Sequence, residues 1–198
     1  MRRFKNLMGG VWLGVKFYKT LPFEDDFDRY EKMRFCQAIR KGREYPVLLT
    51  SEQINCPGAI RSFGWANHSD SELIENMIDK VGISKEKIKA MLDQTPRLRS
   101  QIQGVVIGGY EKPDLLISYC QPATIMRLLR LFQKLTGKNV NVELSSIISV
   151  CGNVAVKCFL NGDICLSFGC DDAREYGAIS RDRLIVGVPY SLIQKMVE

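Results

Sequence analysis

Short apolar runs along the chain, alternating with polar residues or rich in β-branched side chains, predict strands near 10–18, 45–50, 103–110, 114–120, 139–144, 164–169 and 183–189. The cleanest alternation is NVNVEL, in which Val140, Val142 and Leu144 share one face and Asn139, Asn141 and Glu143 the other. Elsewhere the apolar period lengthens to that of a helix. In SDSELIENMIDKVG, Ser69 and Glu72 have capping-box spacing, Leu73, Ile74, Met77, Ile78 and Val81 form a stripe, and Gly82 ends it. A second helix follows, capped by Ser84 and stopped before Pro96. The strongest helical pattern is PATIMRLLRLFQKLTG: Pro122 suits a first turn, Ile125, Leu128, Leu129, Phe132 and Leu135 make the stripe, and Gly137 closes it.

Strands and helices alternate irregularly, with no linker, low-complexity tract or step in composition between them. The pattern predicts one domain over residues 1–198, α/β or α+β, with a mixed sheet of about six or seven strands and helices packed on it. A length of 198 residues supports a core of that size. With 45% hydrophobic and 25% charged residues the composition is that of an ordinary globular chain.

No apolar run approaches the roughly 18 residues needed to span a bilayer. The start, MRRFKNLMGGVWLGVKFY, has a basic opening, but Lys16 interrupts the apolar stretch and Val11, Leu13, Val15 and Phe17 alternate as a strand does. The expectation is a cytoplasmic protein without a membrane partner.

Seven cysteines stand out against this background. An odd number in a chain of this size is not a secreted disulfide framework; in a reducing compartment it points to metal binding, redox chemistry or burial. Position separates the candidates. Cys56 precedes Pro57 and so takes the N-cap place of a helix. Cys170 ends a strand pattern and precedes Asp171 and Asp172, which suit a helix start. Cys151 heads CGNVAVKCFL. Cys36 either opens CQAIRKGRE or lies within a longer helix from near Asp25. Thiols at helix starts favour the thiolate, the form that binds metals and attacks electrophiles. Cys158 and Cys165 fall within apolar runs and are assigned to the core, while Cys120 closes a strand and is intermediate.

Cys36, Cys56, Cys151 and Cys170 therefore form a candidate four-thiolate set. Its two halves, 36–56 and 151–170, have intervals of 20 and 19 residues, a weak hint of internal duplication. The competing reading is four small apolar residues packed under loops. His68 is the one histidine, which removes imidazole-rich sites and leaves an iron–sulfur cluster, zinc or no metal.

The ordered motifs GVKF, CQAIRKG, CPGA, QPATIMRLLRLF, VCGNVAV, FGC and VGVPYSLI resemble those of the ArCR proteins, an uncharacterised family of archaea and bacteria, from about Val11 to Val197. The resemblance implies that the recurrent cysteines are Cys36, Cys56, Cys151 and Cys170 and that Cys120, Cys158 and Cys165 stand outside the pattern. Gln121 and Cys120 depart from the asparagine and glycine common in relatives. No reaction follows from the likeness.

The net charge of +6 admits acidic partners. Arg127, Arg130 and Lys134 lie opposite an apolar stripe, with Lys138 just beyond, yet no nucleic-acid module signature or interleaved aromatics accompany them. Walker A, G-x-S-x-G, H-E-x-x-H and Rossmann patterns are missing too. Asp171, Asp172 and Arg174 beside Cys170 are candidates to tune a thiolate or touch a ligand. The reading is a four-cysteine site holding an iron–sulfur cluster or another metal in a redox or sulfur-handling role. A metal-free thiol enzyme or small-molecule binder, with Cys36 or Cys56 as nucleophile, is the alternative, and a basic nucleic-acid-associated module a third. The partner expected is a small molecule or redox protein, with homo-oligomerisation open.

Overall fold

A computed structural model describes residues 2–21, 32–65, 70–99, 102–109 and 112–197. Strands β1 (Leu13–Tyr18), β2 (Val47–Thr50), β3 (Gly104–Ile107), β4 (Leu115–Cys120), β5 (Cys165–Ser167) and β6 (Leu184–Pro189) form one sheet in the order β2-β3-β1-β4-β6-β5. The expected strands are therefore present, with the exception of 139–144. All pairings between the strands are antiparallel, so the sheet does not mix directions as the sequence reading had it. The helices are α1 (Arg2–Met8), α2 (Phe35–Lys41), α3 (Pro57–Ser62), α4 (Ser71–Val81), α5 (Lys85–Gln94), α6 (Pro122–Thr136), α7 (Lys157–Asn161), α8 (Asp171–Tyr176) and α9 (Tyr190–Val197). A π-helical segment, Ser149–Val156, runs directly into α7.

Both faces of the sheet are covered, and the period-two alternation of its strands sorts side chains between two cores. On β4, Leu115, Ile117 and Tyr119 enter one core while Leu116 and Cys120 enter the other. Register extends the sorting across the sheet, since Ile117 faces Leu13 on β1 and Gly187 on β6. The smaller core joins α1, α6 and α9 through Phe4, Met8, Leu128, Phe132 and Ile193. The larger core carries α2, α3, the π segment and α8, and this is the face on which the four candidate cysteines lie.

Local signals explain most boundaries. Gly82 and Gly137 end α4 and α6 at φ 66, a left-handed conformation that an L side chain resists. Ser84 and Gln121 occupy extended N-cap positions. Within the α6 stripe, Ile125, Leu128 and Phe132 are buried and Leu129 half-buried, but Leu135 in the last turn is exposed. The NVNVEL segment is irregular, with Val142 and Leu144 exposed. Alternation alone does not make a strand. The sheet's edges are β2 and β5, and this segment pairs with neither. Helix α1 was not anticipated, although Phe4 and Met8 sit one turn apart on its buried face. Ser69 and His68 and any helix from near Asp25 lie outside the described residues, and α4 has Asp70 as its N-cap.

Candidate functional site: a four-cysteine cluster at three helix starts

The site is assembled from two chain crossings. In the first, an isolated parallel bridge sets Met33 beside Ile54: Met33 N–H donates to Gln53 O at 2.8 Å and Asn55 N–H to Met33 O at 3.1 Å. The chain then enters α2 on one side and α3 on the other. Cys36 becomes the second residue of α2, and Cys56, at φ −106 and ψ 109, is the N-cap of α3 with Pro57 inside its first turn. The sequence cue at Cys56 and Pro57 thus holds.

The second crossing uses a strained turn. Ile148 sits at φ 48 and ψ 45, a left-handed conformation that is a genuine outlier for a β-branched residue. Asn153 Nδ2 donates to the carbonyls of Ile147 (3.0 Å) and Ile148 (3.2 Å), holding that turn closed. The π segment follows and carries Cys151. π-helical turns are rare and concentrate at functional sites, and strained residues need surroundings that over-determine them. Packing supplies that here. A side chain at Gly152 would meet Ile148 Cγ2 at 2.7 Å and Ser62 Oγ at 3.0 Å, so α3 approaches the π segment at the van der Waals limit. Cys170, the N-cap of α8, donates its N–H to Ser149 Oγ at 2.7 Å, tying α8 to the same turn.

Arg34 and Cys36 join the two crossings. Arg34 Nη1 contacts Asp172 Oδ2 at 2.6 Å and its guanidinium lies 4.5 Å from the Tyr176 ring centroid. The Cys36 thiol donates to Asp172 O at 3.6 Å. Cys36, Cys56, Cys151 and Cys170 are thereby gathered between α2, α3, the π segment and α8, and all seven cysteines are free. Among the described residues, no group of three or more His, Cys, Asp or Glu side chains is arranged as it stands to hold a metal ion.

A pocket of about 320 Å³ opens over the cluster, lined by Arg34, Cys56, Cys151, Cys170, Ile148 and Met77 among others. Cys36 is buried and is not part of this lining. Asp171 and Asp172 reach the pocket, as their place beside Cys170 suggested. Arg174 is turned elsewhere, donating to Ser180 O at 2.6 Å. Cys120 belongs to the opposite core, and Cys158 and Cys165 contact each other away from the four, consistent with their assignment as core thiols.

The electrostatics polarise one thiol pair. The Cys151 thiol hydrogen-bonds to the Cys56 sulfur, and this bond, with the Ala59 N–H and the Arg34 charge, outweighs burial and lowers the Cys56 pKa to about 6. The same bond and complete burial hold Cys151 protonated, well above the ordinary thiol range. Burial, reinforced by charge on Cys56 and Cys170, pushes Cys36 up to about 12. The protein can thus hold one thiolate and two protonated thiols side by side. Sequence reasoning missed Arg34 and Ser149. Each stands two residues from a flagged cysteine, Cys36 and Cys151, but the partners that bring them into the site, Asp172 and Cys170, are far away along the chain.

A family model for ArCR, a family described as uncharacterised, matches residues 12–198. An uncharacterised protein of Methanocaldococcus jannaschii is 22% identical over 177 residues, covering 85% of this chain and 76% of that protein. No solved structure matches the chain. Among the described residues no helix is long and apolar enough to cross a membrane. With the match running over nearly all of its length, from the residue before β1 to the end of α9, the chain belongs to the ArCR family.

Proposed function

We propose that this protein binds a thiophilic metal centre through Cys36, Cys56, Cys151 and Cys170, and that the centre is an iron–sulfur cluster serving a redox or sulfur-handling reaction. The observation that carries the reading is convergence. Four thiols from four chain segments gather in one place, with Cys56 and Cys151 hydrogen-bonded to each other and Cys56, Cys151 and Cys170 lining one pocket. The donor set is soft and lacks imidazole, which suits a cluster or a Zn(Cys)₄ site, and a chain with two cores of this size does not need zinc in order to fold. When bound, such a centre would supply an electron-accepting group or a Lewis-acidic iron. The chain's own contribution is to hold the sulfurs, with Arg34 offsetting anionic charge and the Ala59 N–H supporting Cys56. A reducing compartment, as in a cytoplasm, fits seven free thiols.

One observation favours a second reading. The polarised pair of Cys56 and Cys151 is the arrangement a dithiol enzyme needs, with a thiolate facing the pocket and a protonated thiol beside it to resolve the adduct. Anaerobic purification followed by visible spectroscopy and assay of iron, zinc and sulfide separates the two. The cluster reading expects a coloured protein with iron and sulfide in comparable amounts. A protein that stays colourless and metal-free after reconstitution with iron and sulfide would sink that reading and leave the dithiol.

A further inference from the structure

The helix layer over the smaller core has a charge pattern that the cysteine site does not use. Helices α1, α6 and α9 contain no aspartate or glutamate. Their exposed positions carry Arg3, Arg127, Arg130, Lys134 and Lys195, and exposed Lys138 follows just beyond α6. The ion pairs between described residues, Lys16–Asp114, Arg34–Asp172, Arg61–Asp70 and Lys157–Glu143, all lie on other elements. Asp182 reaches the layer through Gln121, at the end of α6 away from Lys134 and Lys138. Cations elsewhere in the fold are neutralised within the chain, and those of this layer face solvent.

The three helices form one surface, each packed on the other two. Arg127 Nη2 donates to Met8 O at 3.4 Å, tying α6 to the end of α1, and Arg3 Nη1 donates to Val197 O at the end of α9. The same surface exposes large aliphatic groups: Leu7 at 47%, Val11 at 52%, Met126 at 51% and Leu135 at 42%. Its aromatic rings, Phe4, Trp12 and Phe132, are buried, so it lacks the stacking platforms that hold single-stranded nucleic acid. Duplex phosphates call for cations alone and leave the exposed aliphatic groups without a role. Cations interspersed with exposed aliphatic side chains match the headgroup region of an anionic membrane, where the first meet phosphates and the second leave water.

We propose that the layer of α1, α6 and α9 is a docking surface for an anionic phospholipid membrane, on which the protein lies without crossing it. The sequence reading expected no membrane partner because no apolar run spans a bilayer, but a protein that rests on the surface needs none. The sheet stands between this layer and the four cysteines, so docking leaves their pocket uncovered. The proposal is independent of what the cysteines bind.

The test is flotation of the full chain with vesicles of phosphatidylcholine alone and of phosphatidylcholine mixed with phosphatidylglycerol, over a salt series, beside duplex DNA binding at the same salt. Wild type should float with the anionic vesicles, come off as salt rises, and stay unbound with the neutral ones. The double variant Arg130→Gln/Lys134→Gln should bind anionic vesicles on the order of thirtyfold more weakly, the attraction of two surface cations. A charge-matched control on α5, Lys87→Gln/Lys89→Gln, should bind as wild type does, since those exposed lysines belong to the opposite side of the sheet. Leu7→Ser/Met126→Ser should weaken binding several-fold with the salt dependence unchanged. All six positions are exposed, so melting temperatures should stay at the wild-type value. Failure of wild type to float, or equal flotation with neutral vesicles, would overturn the proposal. So would equal weakening by the α5 control, or undiminished binding of Leu7→Ser/Met126→Ser. Binding to DNA tighter than to vesicles, and lost in Arg130→Gln/Lys134→Gln, would give the surface to nucleic acid instead.

Discussion

At the scale of single residues, the site depends on which sulfur is charged. Cys56 accepts from Cys151 and from the Ala59 N–H, and those bonds hold its proton affinity down despite burial. Its folded pKa lies below that of an ordinary thiol, about 8.5, so its thiolate forms as pH rises through about 6. In metal-free protein, Cys56 should therefore react with iodoacetamide at a rate that rises with pH and is half-maximal near 6. Cys151→Ala removes the main donor and should move that midpoint up toward the range of an ordinary thiol, about 8.5. Mass spectrometry of the alkylated peptide after a pH series measures both. A Cys56 midpoint unmoved by Cys151→Ala would mean that the Cys151 bond does not set it. The helix-start position of Cys56 was legible from Pro57 alone. The polarity of the pair was not, because Cys151 lies 95 residues away and no local pattern encodes a contact at that distance.

The elements meet at one tight seam, the approach of α3 to the π segment at Gly58 and Gly152. Ile148 Cγ1 would lie 3.0 Å from a side-chain carbon at Gly58, and Gly152 is closed in by Ile148, Ser62 and Thr95. Gly152 is not at positive φ, so substitution there tests steric fit and not backbone strain. Gly152→Ala should destabilise the protein by about 1–3 kcal/mol through overpacking. It should also raise the Cys56 alkylation midpoint, since Cys151 is its neighbour and must shift with it. Urea denaturation and the pH series above measure the two effects; a stable variant with an unmoved midpoint would show that the seam does not position Cys151. Nothing in the residue pattern marks a π-helical turn at this place. In SVCGNVAV the apolar residues run nearly continuously, and a helix buried on every side has no polar stripe from which to count its period. By contrast α4, α5 and α6 are half-exposed and were readable, and NVNVEL misled because alternation reports two different faces without reporting a strand partner.

Across the whole molecule, the sheet separates two cores, and the four cysteines lie with the larger one. Leu128 on α6 is fully buried in the core opposite the cysteines. Leu128→Ala should cost about 2–5 kcal/mol while leaving the Cys56 alkylation profile unchanged. A large stability loss accompanied by altered thiol reactivity would show that the two faces are coupled. An α/β or α+β chain with a sheet of about six or seven strands could be read from periodicity, because that signal repeats over many residues. The direction of strand pairing could not, since parallel and antiparallel buried strands share the same apolar run. The convergence of the four cysteines was a matter of topology: the Met33–Ile54 bridge and the Arg34–Asp172 ion pair both join segments that look unrelated along the chain. Differential alkylation tests that convergence as a working site most directly. Anaerobically loaded protein is labelled with a thiol reagent, the metal is removed with a chelator, the protein is unfolded, and a second isotopic label reports which cysteines had been protected. The account predicts that, against a metal-free sample treated in parallel, loading adds protection at Cys36, Cys56, Cys151 and Cys170 and leaves Cys120, Cys158 and Cys165 unchanged. Identical labelling of all seven cysteines in loaded and metal-free protein, or added protection at a different set, would contradict it.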